Sequence, residues 1–91
     1  MTATVLLPAS LRSCAGGAHE LAAAGTTLRE VLDDVAHRLP VLDRRLRDER
    51  GLLRPHVLVY VDGTIARGDT CLDTPVGEGS EVFIAPAVSG G

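Results

Sequence analysis

Ninety-one residues supply one domain with a single hydrophobic core and no second one. Nine basic against twelve acidic residues leave a net charge of −3, the wrong sign for a nucleic-acid footprint, and Tyr60 and Phe83 are too few aromatics for a base-stacking platform. All nine basic residues are arginine, so the chain offers no lysine side chain to an isopeptide bond.

Cys14 and Cys71 lack Cys-x-x-Cys spacing, so neither a metal site nor a redox motif is expected, and the pair is read as reduced. The apolar run 5–7 is cut off by Pro8, too short for a signal-peptide core, and no stretch approaches the roughly 20 apolar residues of a spanning helix. The expected setting is soluble and cytoplasmic, with no membrane and no nucleic acid among the partners.

Residues 2–7, β-branched and apolar, predict a first strand. Residues 13–17 read as a turn, and 19–22 as an antiparallel return. Thr27 and Glu30 then stand in capping-box spacing, with the Thr side chain over the Glu30 amide and the Glu reaching back. Behind them Leu28, Val31, Leu32, Val35 and Leu39 recur at helical period, and Arg29, Asp33, Asp34 and His37 face away. Pro40 stops this helix and opens a second, short one over residues 41–47. Arg44, Arg45, Arg47, Arg50 and Arg54 among Asp43, Asp48 and Glu49 read as a solvated mixed-charge face. His19, His37 and His56 fall on unlike elements and are given no catalytic or metal role.

Residues 57–61 predict a strong strand, Asp62-Gly63 a two-residue hairpin, and 64–67 its returning arm. Residues 72–76 form a short crossing segment, 77–80 a turn and 81–85 the last strand. The sum is an α+β domain in ubiquitin-like β-grasp order: a mixed sheet of four to five strands with one main helix packed on one face. Alternation places Val57, Val59, Val61, Val82 and Ile84 under that helix, and Leu58, Tyr60, Phe83 and Ala85 on a face with no internal cover. An open apolar face on a small domain marks a partner surface, and the Tyr60 hydroxyl requires water or a partner. The competing arrangement has the second short helix covering both faces.

Pro86 cannot donate a ladder hydrogen bond, so the domain is expected over residues 1–86 and an extended tail over 87–91. Five extended residues reach at most about 17 Å. Gly90 and Gly91 carry no Cβ, so the end fits a slot too narrow for a side chain and brings the Gly91 carboxylate to its floor. The tail follows the strand without a Gly/Ser-rich linker, which favours a chemical handle over a frayed or leftover end.

Residues 73–91 combine a Gly79-Ser80-Glu81-Val82 turn, a strand, the spacer Pro86-Ala87-Val88 and a terminal Gly90-Gly91. This pattern resembles the C-terminus of the ThiS/MoaD family of ubiquitin-like sulfur carriers, and the rest of the chain is compatible over its whole length. Leu11-Arg12, Gly16-Gly17, the arginine- and histidine-containing lead-in to residues 57–61, and Pro86-Ala87-Val88 resemble its CysO branch, whose members donate sulfur for cysteine synthesis.

The resemblance implies a protein co-substrate and not an enzyme. An E1-like adenylyltransferase/sulfurtransferase would adenylate Gly91, and a sulfur donor would convert the adenylate to a thiocarboxylate. A sulfur-accepting synthase, cysteine-synthase-like or thiosugar-forming, would then take the sulfur. No cofactor is expected to be bound, since ATP and the sulfur donor act through the adenylating partner. Gly90 and Gly91 would let the arm pass, Val88 would anchor it beside Ser89, and Phe83, Ala85, Leu58 and Tyr60 would dock the body. Three alternatives stand: a protein modifier conjugated through Gly91, the small subunit of molybdopterin synthase, and, outside the family, a plain binding module with an inert tail.

Overall fold

Alternation decides which side of each strand enters the core. In β1 (Thr2–Leu6) the side chains of Ala3 and Val5 are buried, whereas Thr4 and Leu6 point to the other face. The computed structural model describes residues 2–66 and 70–86. After Pro8 the chain winds into a 3-10 helix, Ala9–Ala15, closed by Gly16 at φ 65°. The sequence predicts only a turn at 13–17. None of the helix's residues is fully buried, so it left no apolar period to read. β2 (Glu20–Ala24) pairs antiparallel with β1, Leu21 opposite Val5, and runs two residues beyond the predicted return.

The Thr27 hydroxyl caps α1 (Leu28–Arg38) by accepting the Glu30 amide at 3.2 Å. Glu30 reaches back one residue further than a capping box requires, accepting the Thr26 amide at 2.7 Å and the Thr26 hydroxyl at 2.8 Å. The Thr26 amide, and after it the hydroxyl, hold the Glu30 carboxyl below its ordinary pKa. Leu28, Val31, Leu32 and Val35 are buried, and Leu39 is half-buried at the helix end. α2 (Pro40–Leu46) starts on proline and sinks Leu42 and Leu46 into the same core. Both helices therefore pack on one side of the sheet.

β3 (Val57–Val61) turns at Asp62 (φ 51°) and Gly63 (φ 86°) into β4 (Thr64–Ile65). Two consecutive positive φ values are what a type I′ hairpin demands. The predicted arm ran to Arg67, which lies outside the described residues. A 3-10 turn, Cys71–Asp73, buries Leu72, and the Thr74 carbonyl accepts the Leu28 amide at 2.9 Å, fixing the start of α1. β5 (Glu81–Pro86) takes the centre, parallel to β1 (Val82 opposite Val5) and antiparallel to β3 (Ile84 opposite Val59). Pro86, opposite Val57, is the last paired residue among those described. The order β2-β1-β5-β3-β4, with helices on one face, is a five-stranded β-grasp.

Candidate functional site

Val59, Val61, Val82 and Ile84 are buried beneath the helices, and Val57 is half-buried against the same core. By the pleat, their neighbours Leu58, Tyr60, Phe83 and Ala85 must look the other way. Registry pairs them, Tyr60 opposite Phe83 and Leu58 opposite Ala85. The Tyr60 and Phe83 rings meet edge to face, with centroids 6.3 Å apart and planes at 68°. Phe83 remains 45% exposed, a large apolar side chain that the fold does not cover. α2 contributes Leu42 and Leu46 to the opposite side, so no helix among the described residues covers this sheet face.

A shallow depression of about 510 Å³ on this face is lined by Leu6, Tyr60, Gly63, Glu81, Phe83 and Ala85. Of the four residues singled out from the sequence, Tyr60, Phe83 and Ala85 line it together. Leu58 shares their face, outside the lining. Leu6 was missed, although it stands opposite Phe83 on β1 and its outward position follows from buried Val5 beside it. Glu81 puts a carboxylate at the rim. The strand that carries Phe83 and Ala85 is also the strand that leads into residues 87–91. Val88, Ser89, Gly90 and Gly91 lie outside the described residues.

In the arginine-rich segment Arg44, Arg45, Glu49 and Arg50 are exposed, as a solvated face requires, and Arg47 departs from that expectation. Arg47 is 8% exposed, its Nε donating to Asp43 at 2.7 Å and its Nη1 to Asp33 at 2.9 Å. Burial opposes the guanidinium charge, but the Asp43 and Asp33 carboxylates outweigh it and raise the pKa above its ordinary value. These bonds tie α2 to α1, a structural use of the side chain. Among the described residues no three His, Cys, Asp or Glu side chains come together as a metal site, and no helix is long and apolar enough to cross a membrane.

The profile of the ThiS family matches residues 5–91, a span that includes both terminal glycines. The chain belongs to the ThiS family. Over 93 aligned residues, all of both chains, this ThiS-family protein is 36% identical to the sulfur carrier protein CysO of Mycobacterium tuberculosis. The crystal structure of M. tuberculosis CysO superposes on it with a TM-score of 0.87 at 34% identity, covering 94% of this chain and 99% of that one. A chain of the Amycolatopsis orientalis BexX/CysO complex gives 0.87 at 36% identity, with 98% and 99% covered. SAMP1 from Haloferax volcanii gives 0.83 at 26% identity over the whole of both chains.

Proposed function

We propose that this ThiS-family chain is a cytoplasmic sulfur carrier, a protein co-substrate whose Gly91 is the reacting group. The observation that carries the reading is the end-to-end 36% identity to sulfur carrier protein CysO. A carboxylate oxygen of Gly91 attacks the α-phosphorus of ATP on an E1-like adenylating enzyme, and pyrophosphate leaves. The acyl-adenylate is electrophilic where the carboxylate was not. The sulfur of a sulfide donor attacks the acyl carbon, AMP departs, and a Gly91 thiocarboxylate remains. Its sulfur, softer and more polarisable than oxygen, then attacks an electrophilic carbon on a sulfur-accepting synthase. The BexX/CysO complex of the Amycolatopsis relative supports a partner protein that binds the carrier. The carrier contributes no general acid or base. Gly90 and Gly91 give a narrow end, Val88 anchors it, and the face around Phe83 docks.

Incubation of the purified chain with an E1-like adenylating enzyme, ATP and sulfide tests this. Intact-mass spectrometry is expected to show the gain of one oxygen-to-sulfur exchange at Gly91, absent when Gly91 is deleted. A wild-type chain that keeps its mass through repeated turnover of active enzyme sinks the reading.

Likeness to SAMP1, a small archaeal modifier protein, favours a second reading, conjugation through Gly91 to lysines of other proteins. Lacking lysine, the chain can be attached singly but cannot build chains on itself through lysine side chains. Lysine-linked adducts on other proteins, carrying this chain's peptide from residue 68 to Gly91 after trypsin digestion and dependent on Gly91, are the expected signature of that activity.

A further inference from the structure

At the end of the sheet where β5 finishes, a second hollow of about 170 Å³ opens between the first 3-10 helix, α2 and the start of β3. Leu11, Val57 and Ile84 give it an apolar floor, and Arg45 and His56 give it a basic wall. Ala85 lines both this notch and the open-face depression, so the two surfaces are continuous.

Backbone bonds place the two basic side chains together. The Arg54 amide donates to the Leu46 carbonyl at 2.9 Å, and the Arg54 Nε to the Arg44 carbonyl at 2.7 Å. The Val57 amide closes a turn onto the Arg54 carbonyl at 3.0 Å. That turn carries His56, and the last turn of α2 carries Arg45, to the lining of one hollow. Both side chains are exposed, and among the described residues neither has a carboxylate partner. Two acids of the same segment are engaged elsewhere: Asp43 by Arg47, and Asp48 by the Arg50 guanidinium and the amides of Arg50 and Leu52. Among the described residues no acidic side chain lines the notch. In a chain of net charge −3 this is a local reversal of sign.

We infer that the Arg45–His56 notch receives a carboxylate side chain of the E1-like enzyme that adenylates Gly91. The inference rests on the sulfur-carrier reading, and it adds the site and charge of a contact. Pro86 is paired with Val57, a residue of the notch floor, so the notch borders the root of the tail. Any five residues span at most about 17 Å, so an enzyme that holds Gly91 at its catalytic centre presses the mouth of its channel against that root. Arginine presents a planar fork that takes both oxygens of a carboxylate, and the His56 ring adds a further N–H. The apolar floor excludes water from one side of the pair and strengthens it. A charge contact at the rim sets approach and register, while the apolar face supplies most of the affinity.

The test measures affinity for, and thiocarboxylation by, the E1-like enzyme used above. The variants are Arg45→Ala/His56→Ala, Arg45→Glu, and Arg29→Ala, whose guanidinium is engaged by Asp73. The double variant is expected to bind about tenfold more weakly and to lose much of the wild-type salt dependence, and Arg45→Glu to bind more weakly still. The rate at saturating carrier and the urea midpoint stay at wild-type values, and Arg29→Ala binds as wild type does. A double variant with wild-type affinity and wild-type salt dependence overturns the notch while leaving the sulfur-carrier reading intact. A wild-type chain that is never thiocarboxylated overturns both.

Discussion

Asp62 sits at the left-handed corner of the β3–β4 hairpin, and its carboxylate holds the start of β5 and the residue before it. One oxygen accepts the Glu81 amide at 2.9 Å, the other the Ser80 hydroxyl at 2.8 Å. The amide first, and the hydroxyl second, hold this carboxyl below its ordinary pKa. The sign of the consequence follows from linkage. As pH falls through the ordinary carboxylate range the unfolded chain takes up this proton first, so stability present above that range is lost progressively until the folded carboxyl also protonates. Asn at position 62 tolerates the positive φ and retains one acceptor, but does not titrate. Asp62→Asn is therefore expected to be less stable than wild type at neutral pH and to lose less on acidification. Urea midpoints across the acid range check this, and parallel pH curves for the two proteins contradict it. Nothing in an Asp-Gly pair announces the second duty of Asp62: the sequence shows the turn, whereas the bonds to residues 80 and 81 depend on β5 passing beside it. Arg47 was misread for the same reason, because its partner Asp33 lies on another helix.

A sheet edge is the weak point of a small domain, since unpaired strand groups invite a second chain. β2 is such an edge. Its odd-numbered residues face β1, as the bond from the Leu7 amide to the His19 carbonyl shows, and its even-numbered ones face outward. Two of those outward groups are already taken. Arg38 donates to the Ala22 carbonyl, and Asp34 accepts the Ala24 amide at 2.9 Å and pairs with Arg38 at 3.0 Å. One helix thus caps the strand it packs beside. Asp34→Ala/Arg38→Ala frees both groups and is expected to add a concentration-dependent dimer by sedimentation velocity, with the monomer still folded by circular dichroism. A double variant that remains monomeric at the highest concentration shows that the cap is dispensable. At this scale the sequence was informative about elements and silent about their contacts. The helical period located α1 and its inward stripe, but Asp34 read simply as an outward residue because a single helix does not reveal which strand lies alongside.

Taken as a whole, the molecule separates a covered face from an open one, and that division was legible because strands alternate with period two. Val59 and Val61 could be assigned inward and Leu58 and Tyr60 outward without coordinates. The notch at the root of the tail was not legible, since its residues come from four separated segments that meet only in the fold. The division also makes stability and docking separable by mutation. Phe83 lies outside the core and is 45% exposed, so Phe83→Ala removes its contact with Tyr60 and half-buried surface but opens no sealed cavity. Its cost to folding is expected at about 1 kcal/mol, well below the 3–5 typical of a buried phenylalanine. At a desolvated interface the same truncation is worth about 2 kcal/mol or more, a loss of at least roughly thirtyfold in affinity. Val41 on α2 is comparably exposed at 52%, away from the open face, and Val41→Ala is the matched control. Titrating each variant against the E1-like enzyme should raise the carrier KM steeply for Phe83→Ala and leave it unchanged for Val41→Ala. Folded Phe83→Ala protein that is loaded at the wild-type KM removes the open face from the docking surface, and recognition would then have to reside in the tail and the notch beside it.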